Sequence, residues 1–170
     1  MTGILIFTAG RDDAHNDFKR SVKQGHSISN LAEYLTDDER DQVARYYEDD
    51  RAHLWGTSAA EKWANVETDD IALVYRDGGY SAQARVVHKT ENVSLARELW
   101  DVEDNPWEED NPWKYLTFLT DVEEIDVDAE DFNDLFGYKQ AYYPMGFTRV
   151  AEDRLETIRE RAGSIETAVA

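Results

Sequence analysis

The sequence predicts a single α+β domain, and three observations lead to that prediction. A chain of 170 residues with 41% hydrophobic and 12% aromatic content can bury one sizeable core. Alternating segments at 71–76 and 80–88 flank Asp77-Gly78-Gly79, which is the pattern of a β-hairpin. Thr36 with Glu39 has the spacing of a capping box, which marks the start of a helix. No linker divides the chain, so we expect one domain over 1–162 and a weakly ordered tail over 163–170.

The first quarter of the chain predicts a buried strand followed by a basic helix. Residues 3–8 read GILIFT, and Ala9-Gly10 ends the strand. Around 14–23 a helix is expected, with apolar residues on one face and Gly25 as its stop. A basic cluster on a helix is usually a solvated face, but this one also holds the best candidates for phosphate contact. Its members are Arg11, Lys19, Arg20 and Lys23.

The next segment, 27–50, is interpreted as a structural helical insert. It comprises a short helical turn over 27–34 and a helix over 37–48 that opens on acidic residues, as the positive end of a helix dipole favours. A strand over 52–57 follows, with HLWGT at its end, and Ser58 with Glu61 predicts a second capping box. We expect Trp55 to lie at the lip of a sheet platform.

The second half of the chain alternates in the same way. In 80–88 alternation places Tyr80, Ala82, Ala84 and Val86 on one face of a strand, and the small residues on that face leave room beside it. A helix over 92–100 leads into a loop in which Asp-Asn-Pro-Trp occurs twice. Strands at 114–120 and 123–127, a helical turn at 128–135, an extended run at 142–150 and a closing amphipathic helix at 151–161 complete the prediction.

The charge of the chain bears on its surroundings and its partners. Aspartate and glutamate outnumber lysine and arginine by 37 to 18, and the formal net charge is −19. Salt screens such self-repulsion, since the Debye length falls to about 3 Å at 1 M ionic strength. We therefore expect a protein adapted to high salt; the alternative is an ordinary acidic protein. An acidic chain should repel nucleic acid, but under high salt a local basic patch and a base pocket can suffice.

Catalytic chemistry finds little support in the sequence. The chain has no cysteine, and its four histidines lack the spacing of metal ligands. It contains neither a GxSxG motif nor a phosphate-binding glycine loop, and chance proximity among 37 acids indicates no acid–base pair. We therefore expect no enzyme activity, no metal site and no cofactor. No run is long enough to cross a bilayer and no signal peptide is evident, which predicts a cytoplasmic protein.

Aromatic recognition is the function that the residues leave open. Tryptophan faces hold a flat base by stacking, worth roughly 1–3 kcal/mol per base, and a base lifted from a duplex is then read on its polar edges. Trp55 beside Thr57 could supply one wall and a hydroxyl, and Trp100, Trp107 and Trp113 could supply a facing wall. Each loop tryptophan could instead cover the core.

These segments, in this order, resemble the PUA-like superfamily. Within it they resemble the EVE and YTH branches and the YTH-like reading domains of McrB-type restriction systems. The resemblance covers about residues 3–127: a strand with a polar turn, a helix bearing Asn16 and Gly25, W-G-T at 55–57, the hairpin DDIALVYRDGGYSAQARVV, and a Trp-bearing loop before KYLTFLTDVEEIDV. It implies a small, strongly bent β-barrel flanked by helices that binds a modified base in an aromatic cage.

The resemblance also implies roles for individual residues. Trp55 corresponds to the first cage wall, Thr57 to a small polar residue beside the base, and either Trp107 or Trp113 to the second wall. Asn16 corresponds to a helix Asn that contacts the base edge. This chain departs from the YTH pattern by an insertion of about 27 residues between Gly25 and His53.

The leading hypothesis is a non-catalytic reader of modified, methylated bases in DNA that could flip the base from a duplex. It would serve as the specificity domain of a modification-dependent restriction system whose nuclease or NTPase lies on another domain or partner. One alternative is an RNA-binding reader of methylated adenine. Another is a protein-interaction module that uses Trp107 and Trp113 as anchors.

Overall fold

A seven-stranded mixed sheet forms the centre of the fold. The computed structural model describes residues 2–9, 18–99, 113–144 and 146–163. The strands are β1 (Ile4–Thr8), β2 (His26–Ser27), β3 (Arg51–Thr57), β4 (Ile71–Arg76), β5 (Gly79–Glu91), β6 (Tyr115–Asp128) and β7 (Thr148–Arg149). Their order across the sheet is β2-β3-β6-β5-β4-β1-β7. Among these described strands β1 and β4 pair in parallel, and the other neighbours pair antiparallel.

Seven helices surround the sheet in the described part of the chain. They are α1 (Lys19–Gln24), which is π-helical, α2 (Ile28–Leu31), which continues into a 3-10 turn over Ala32–Tyr34, α3 (Asp37–Tyr46), α4 (Ala60–Ala64), α5 (Val93–Leu99), α6 (Ala129–Phe136) and α7 (Glu152–Ala162). Thr36 caps α3 by accepting a hydrogen bond from the Glu39 amide, as the capping box predicts. Gly25 ends α1 at a φ of 74°, a conformation that glycine adopts without strain. None of these helices is long and apolar enough to span a membrane.

The sheet bends so that five strands turn one face toward a common core. This interior cluster takes residues from β1, β3, β4, β5 and β6, two from the α1 region and three from the connecting segments. Its members are Leu5, Phe7, Ala9, Phe18, Val22, Trp55, Val66, Ala72, Val74, Ala82, Ala84, Val86, Leu119 and Phe147. A second cluster, the α6–α7 cluster, covers the other face of β1 and β4. A third, the α3–α5 cluster, covers the other face of β3 and β6. The α+β class is thereby confirmed.

Bulges in the two longest strands produce much of this bend. β5 and β6 pair along most of their length, but their register shifts at three places. At one of them Asp121 adopts a φ of 53°, in the left-handed region that most residues avoid. A bulge of this kind bends a strand and increases its twist. The long strands can therefore contribute to different clusters at their two ends.

The structure corrects three details of the sequence prediction. The strands expected at 114–120 and 123–127 are one strand, because the Asp121 bulge absorbs the interruption without ending β6. The capping box expected at Ser58 is wrong: α4 has Ala59 as its N-cap, and no side chain caps it. Tyr80 does not join Ala82 on the interior core but packs in the α6–α7 cluster, because the register shifts between them.

Asp70 ties the parallel pair of strands to β7. Its carboxylate is fully buried and accepts a hydrogen bond from the Gly3 amide at 2.8 Å. It also accepts one from the Glu67 amide at 3.0 Å and forms an ion pair with Arg149 on β7, with Nε at 3.0 Å. A buried carboxylate is stable only when it is paired and hydrogen-bonded in this way. Asp70 therefore fastens the edge of the sheet.

The segment interpreted as a helical insert holds α2, its 3-10 turn and α3. The turn over 28–34 and α3 separate β2 from β3, and their apolar residues pack in the α3–α5 cluster. The helix expected around 14–23 is described only from residue 18, where it forms α1. The expected tail falls outside the described residues from 164 onward. The domain boundaries themselves stay a prediction.

Candidate nucleic-acid interface

Trp55 lies inside the fold and not at a lip of the sheet. It is 4% exposed and belongs to the interior cluster. Its ring stacks on Phe7 of β1, with centroids 5.0 Å apart and planes 15° apart. The alternation of β3 turns Trp55 toward this core, and the bend of the sheet brings β1 across to meet it. A ligand can therefore reach Trp55 only where another side chain moves away.

Trp113 is the side chain that lies against Trp55. It is half-buried and packs on both the interior cluster and the α3–α5 cluster. Its ring centroid lies 5.8 Å from that of Trp55, with the planes tilted by 38°. Stacked bases lie about 3.4 Å apart, so a base between two parallel rings needs about 7 Å. The two rings are thus about 1 Å too close, and too tilted, to hold a base between them as they stand.

Thr57 lies two residues beyond Trp55 on the same face of β3. Its side chain is buried, and its hydroxyl oxygen accepts a hydrogen bond from the Ala59 amide at 3.1 Å. We call the group formed by Trp55, Thr57 and Trp113 the tryptophan site. The structure brings these three predicted residues together, while their role in binding stays a prediction.

A basic surface lies on the outer side of α1, the helix whose inner side packs on the same interior cluster as Trp55. Phe18 and Val22 point into the interior cluster and Ser21 is also buried, while the basic side chains of the helix are exposed. His53 of β3 holds α1 in place, with its Nδ1 2.6 Å from the carbonyl oxygen of Val22. The exposed cations, called here the basic surface, are Lys19, Arg20 and Lys23. Single turns of π-helix occur frequently at functional sites.

Two members of the basic surface have partners within the protein. Arg20 donates a hydrogen bond to the carbonyl oxygen of Leu99 at 2.9 Å, which links α1 to the end of α5. Lys23 pairs with Glu124 of β6. The hydrogen bond from Lys23, reinforced by its charge, lowers the pKa of the Glu124 carboxyl. A phosphate would have to compete with Glu124 for Lys23.

A cleft of about 1000 Å³ opens beside Lys23. It lies between α1, the end of α3 and the bulge of β6, and it includes Asp121. Its charged residues are mixed, with four carboxylates and two cations: Glu48, Asp49, Asp121, Glu124, Lys23 and Arg45. This mixture gives the cleft less attraction for phosphate than the outer side of α1 has.

Four of the residues predicted for the site fall outside the described part of the chain. They are Arg11, Asn16, Trp100 and Trp107. Their roles stay predictions, and so does the choice between Trp107 and Trp113 as a second wall. Within the described ranges, no group of three histidine or acidic side chains could hold a metal ion.

Thr117 is a residue near this site that the sequence prediction missed. It lies on β6 directly opposite Trp55 on β3, and it is 1% exposed. Its hydroxyl has no hydrogen-bond partner among the described residues. The signal in the sequence was a single hydroxyl in the apolar run LTFL, on the same side of the strand as Leu119.

A search of solved structures finds the same architecture in a known domain. The N-terminal domain of Thermococcus gammatolerans McrB, in a structure bound to m5C DNA, matches with a TM-score of 0.71. The match covers 94% of this chain and 96% of that one, at 17% sequence identity. This chain has the fold of that McrB domain. The fold expected from the resemblance to McrB-type domains is therefore confirmed.

Human THYN1, in a structure in complex with DNA that contains 5-methylcytosine, also matches, with a TM-score of 0.46. The match covers 94% of this chain and 97% of that one, at 10% sequence identity. No protein-family model and no curated protein matches the sequence.

Proposed function

We propose that this protein is a non-catalytic reader of modified, methylated bases in DNA. The single observation that carries the proposal is the contact between Trp55 and Trp113 at the interior cluster, on which the basic helix α1 also packs. The fold supports it, because the McrB domain of the same fold is a DNA-bound domain in a complex with m5C DNA. A fold by itself does not imply a function, so the proposal depends on the tryptophan site.

In the proposed mechanism, Trp113 moves and a base lifted from the duplex takes its place against Trp55. Each stacked base contributes roughly 1–3 kcal/mol, which can offset the loss of the ring contact in the free protein. Phe7 holds Trp55 from behind at 5.0 Å, so this wall is fixed before the base arrives. A fixed wall reduces the cost of ordering the site on binding.

The basic surface would contact the phosphates that flank the lifted base. Phosphate contacts position a protein on DNA, and base contacts specify the sequence or the modification. With a net charge of −19, the rest of the chain opposes this approach. Binding would therefore rest on a few local cations and on the base pocket, under salt that screens the distant acids.

The proposal includes a biological role, that of the specificity domain of a modification-dependent restriction system. A reader without catalytic residues needs a nuclease or an NTPase on another domain or partner to act on the DNA that it finds. The resemblance to McrB-type domains and the shared fold support this assignment. Co-purification of the reader with a nuclease or NTPase subunit, and nuclease activity that requires the reader, would test it.

A binding measurement tests the reading function directly. Labelled duplexes of one sequence, with and without a single central 5-methylcytosine, would be titrated with the protein at high salt. We expect tighter binding to the methylated duplex, and a loss of that preference in Trp55→Phe, which keeps an aromatic core residue with a smaller stacking face. Equal affinity for both duplexes would refute the proposal.

The alternatives give different results in the same assay. An RNA reader would prefer RNA that contains methylated adenine over the methylated duplex in direct competition. A protein-interaction module would bind neither nucleic acid, yet would lose a protein partner on substitution of Trp113. The half-buried position of Trp113, packed on two clusters, favours the role in the tryptophan site.

A further inference from the structure

Thr117 occupies the middle of a row of side chains across three strands. The register pairs Thr117 of β6 with Trp55 of β3 on one side and with Lys89 of β5 on the other. Paired residues of antiparallel strands share one face of the sheet, with Cβ atoms about 4.5–5.5 Å apart. Because Trp55 belongs to the interior cluster, Thr117 also faces the interior, directly beside the indole of Trp55.

The neighbours of Thr117 along β6 agree with this orientation. Leu116 and Phe118, one residue to either side, pack in the α3–α5 cluster on the opposite face. Leu119, two residues on, packs in the interior cluster. The pairing of β3 with β6 runs without a shift from His53 to Thr57, so no bulge disturbs the alternation at this point.

Two buried hydroxyls of the described residues have no hydrogen-bond partner, those of Tyr80 and Thr117. Tyr80 packs in the α6–α7 cluster, whereas Thr117 lies beside Trp55. The other buried polar residues are bonded. Thr57 already accepts from a backbone amide, Ser21 bonds to His26, and Asp70 is paired with an arginine. Asn133 lies on α6 and uses its amide nitrogen for two carbonyl oxygens. Unlike these four residues, Thr117 has no side-chain hydrogen bond within the described part of the chain.

A buried hydroxyl without a partner lowers the stability of a protein, and native structures rarely keep one. A valine of the same shape would avoid that loss at this position. An unpaired polar group of this kind inside a binding pocket is what a site for a polar ligand requires, since the ligand supplies the missing partner.

We infer that the Thr117 hydroxyl forms a hydrogen bond with the polar edge of the base that stacks on Trp55. This inference rests on the proposed function and adds a specificity-determining residue to the tryptophan site. A hydroxyl both donates and accepts, so it can pair with a ring nitrogen, a carbonyl oxygen or an exocyclic amine of a pyrimidine. Movement of Trp113 away from Trp55 opens the path by which the base reaches this part of the pocket.

Thr117→Val and Thr117→Ser provide the test, with Thr117→Ser as the matched control that keeps the hydroxyl. We expect Thr117→Val to bind the 5-methylcytosine duplex about three- to tenfold more weakly, the effect of one uncharged hydrogen bond, with a smaller loss for the unmodified duplex. Thr117→Ser should bind within about twofold of the original protein. Thermal unfolding of Thr117→Val should occur at the same temperature or higher, because an unpaired hydroxyl is removed.

The two measurements separate the role in binding from a structural role. Unchanged binding by Thr117→Val would overturn the inference, and so would a lower unfolding temperature, which would show that the hydroxyl is already bonded in the free protein. If the original protein binds both duplexes equally, the proposed function itself fails. If it discriminates between them and Thr117→Val does so equally well, only the role of Thr117 is refuted.

Discussion

Replacing Trp113 with alanine tests whether this side chain is a wall of the tryptophan site or only a cover. In the free protein its ring lies 5.8 Å from that of Trp55, and a base between the rings needs about 7 Å. Trp113 must therefore leave its present position before it can stack on a bound base. The substitution removes both the contact in the free protein and any stacking in the complex.

The expected change in affinity is the difference between these two contributions. A base stacked on an aromatic ring is worth roughly 1–3 kcal/mol, and an aromatic pair about 0.5–1.5 kcal/mol. Their difference is about 1 kcal/mol in favour of the complex. If Trp113 is a wall of the site, Trp113→Ala should therefore bind roughly fivefold more weakly. If Trp113 only covers Trp55, Trp113→Ala should instead bind the duplex more tightly, since the substitution removes the contact that closes the site.

Fluorescence anisotropy of a labelled duplex with one 5-methylcytosine, at fixed salt, measures this difference. Tyr143→Ala is the matched control, because Tyr143 is an aromatic side chain with 60% exposure that lies outside the interior cluster. We expect it to bind as the original protein does. Unchanged or tighter binding by Trp113→Ala would refute its role as a wall, and thermal unfolding would show whether the variant remains folded.

Four further predictions concern stability and electrostatics. Asp70→Asn leaves the partly buried Arg149 without its ion pair and should lower the free energy of unfolding by about 3 kcal/mol, or the unfolding temperature by roughly 6–12 °C. Glu152→Gln breaks an exposed ion pair and should change the unfolding temperature little. Equal effects of the two substitutions would contradict the reasoning. Burial, and then nearby cations, lowers the pKa of His26 below its ordinary 6.5. The unfolded chain therefore binds more protons between the two pKa values, and stability should fall as the pH drops below about 6.5; a His26→Gln variant with the same slope of unfolding temperature against pH would contradict this. Because the net charge is −19, added salt should raise the unfolding temperature, and full stability in dilute buffer would argue against adaptation to salt. Glu124→Gln removes the carboxylate that pairs with Lys23, so binding to methylated and unmodified DNA should strengthen alike and depend more steeply on salt. A change confined to methylated DNA would count against a phosphate contact by Lys23.

Most of the individual helices and strands of this fold can be predicted from the sequence. Alternation identifies the hairpin strands, the spacing of Thr36 and Glu39 sets the start of α3, and Gly25 ends α1. These features depend on residues a few positions apart, so they can be read without knowledge of the rest of the chain. The bulge at Asp121 could not be read in this way, because it depends on the register between two long strands.

The composition of the candidate site was only partly predictable. Trp55 and Thr57 were identified from the W-G-T motif, and Trp113 from its place in a loop of repeated Asp-Asn-Pro-Trp. Neither the motif nor the loop shows how far Trp55 is buried. Burial follows from the bend of the sheet, which brings Phe7 of β1 against a residue 48 positions later in the chain.

The sequence by itself determined the α+β class, the order of the elements and the aromatic and basic residues available for binding. The tertiary structure decided which of them meet: it placed Trp113 on Trp55 and set Lys23 against Glu124. It also put the hydroxyl of Thr117 beside the indole, where no described residue bonds to it. The physical reason is strand register. A shift of one residue between β3 and β6 would turn Thr117 to the opposite face of the sheet, and no local pattern in the sequence fixes that register.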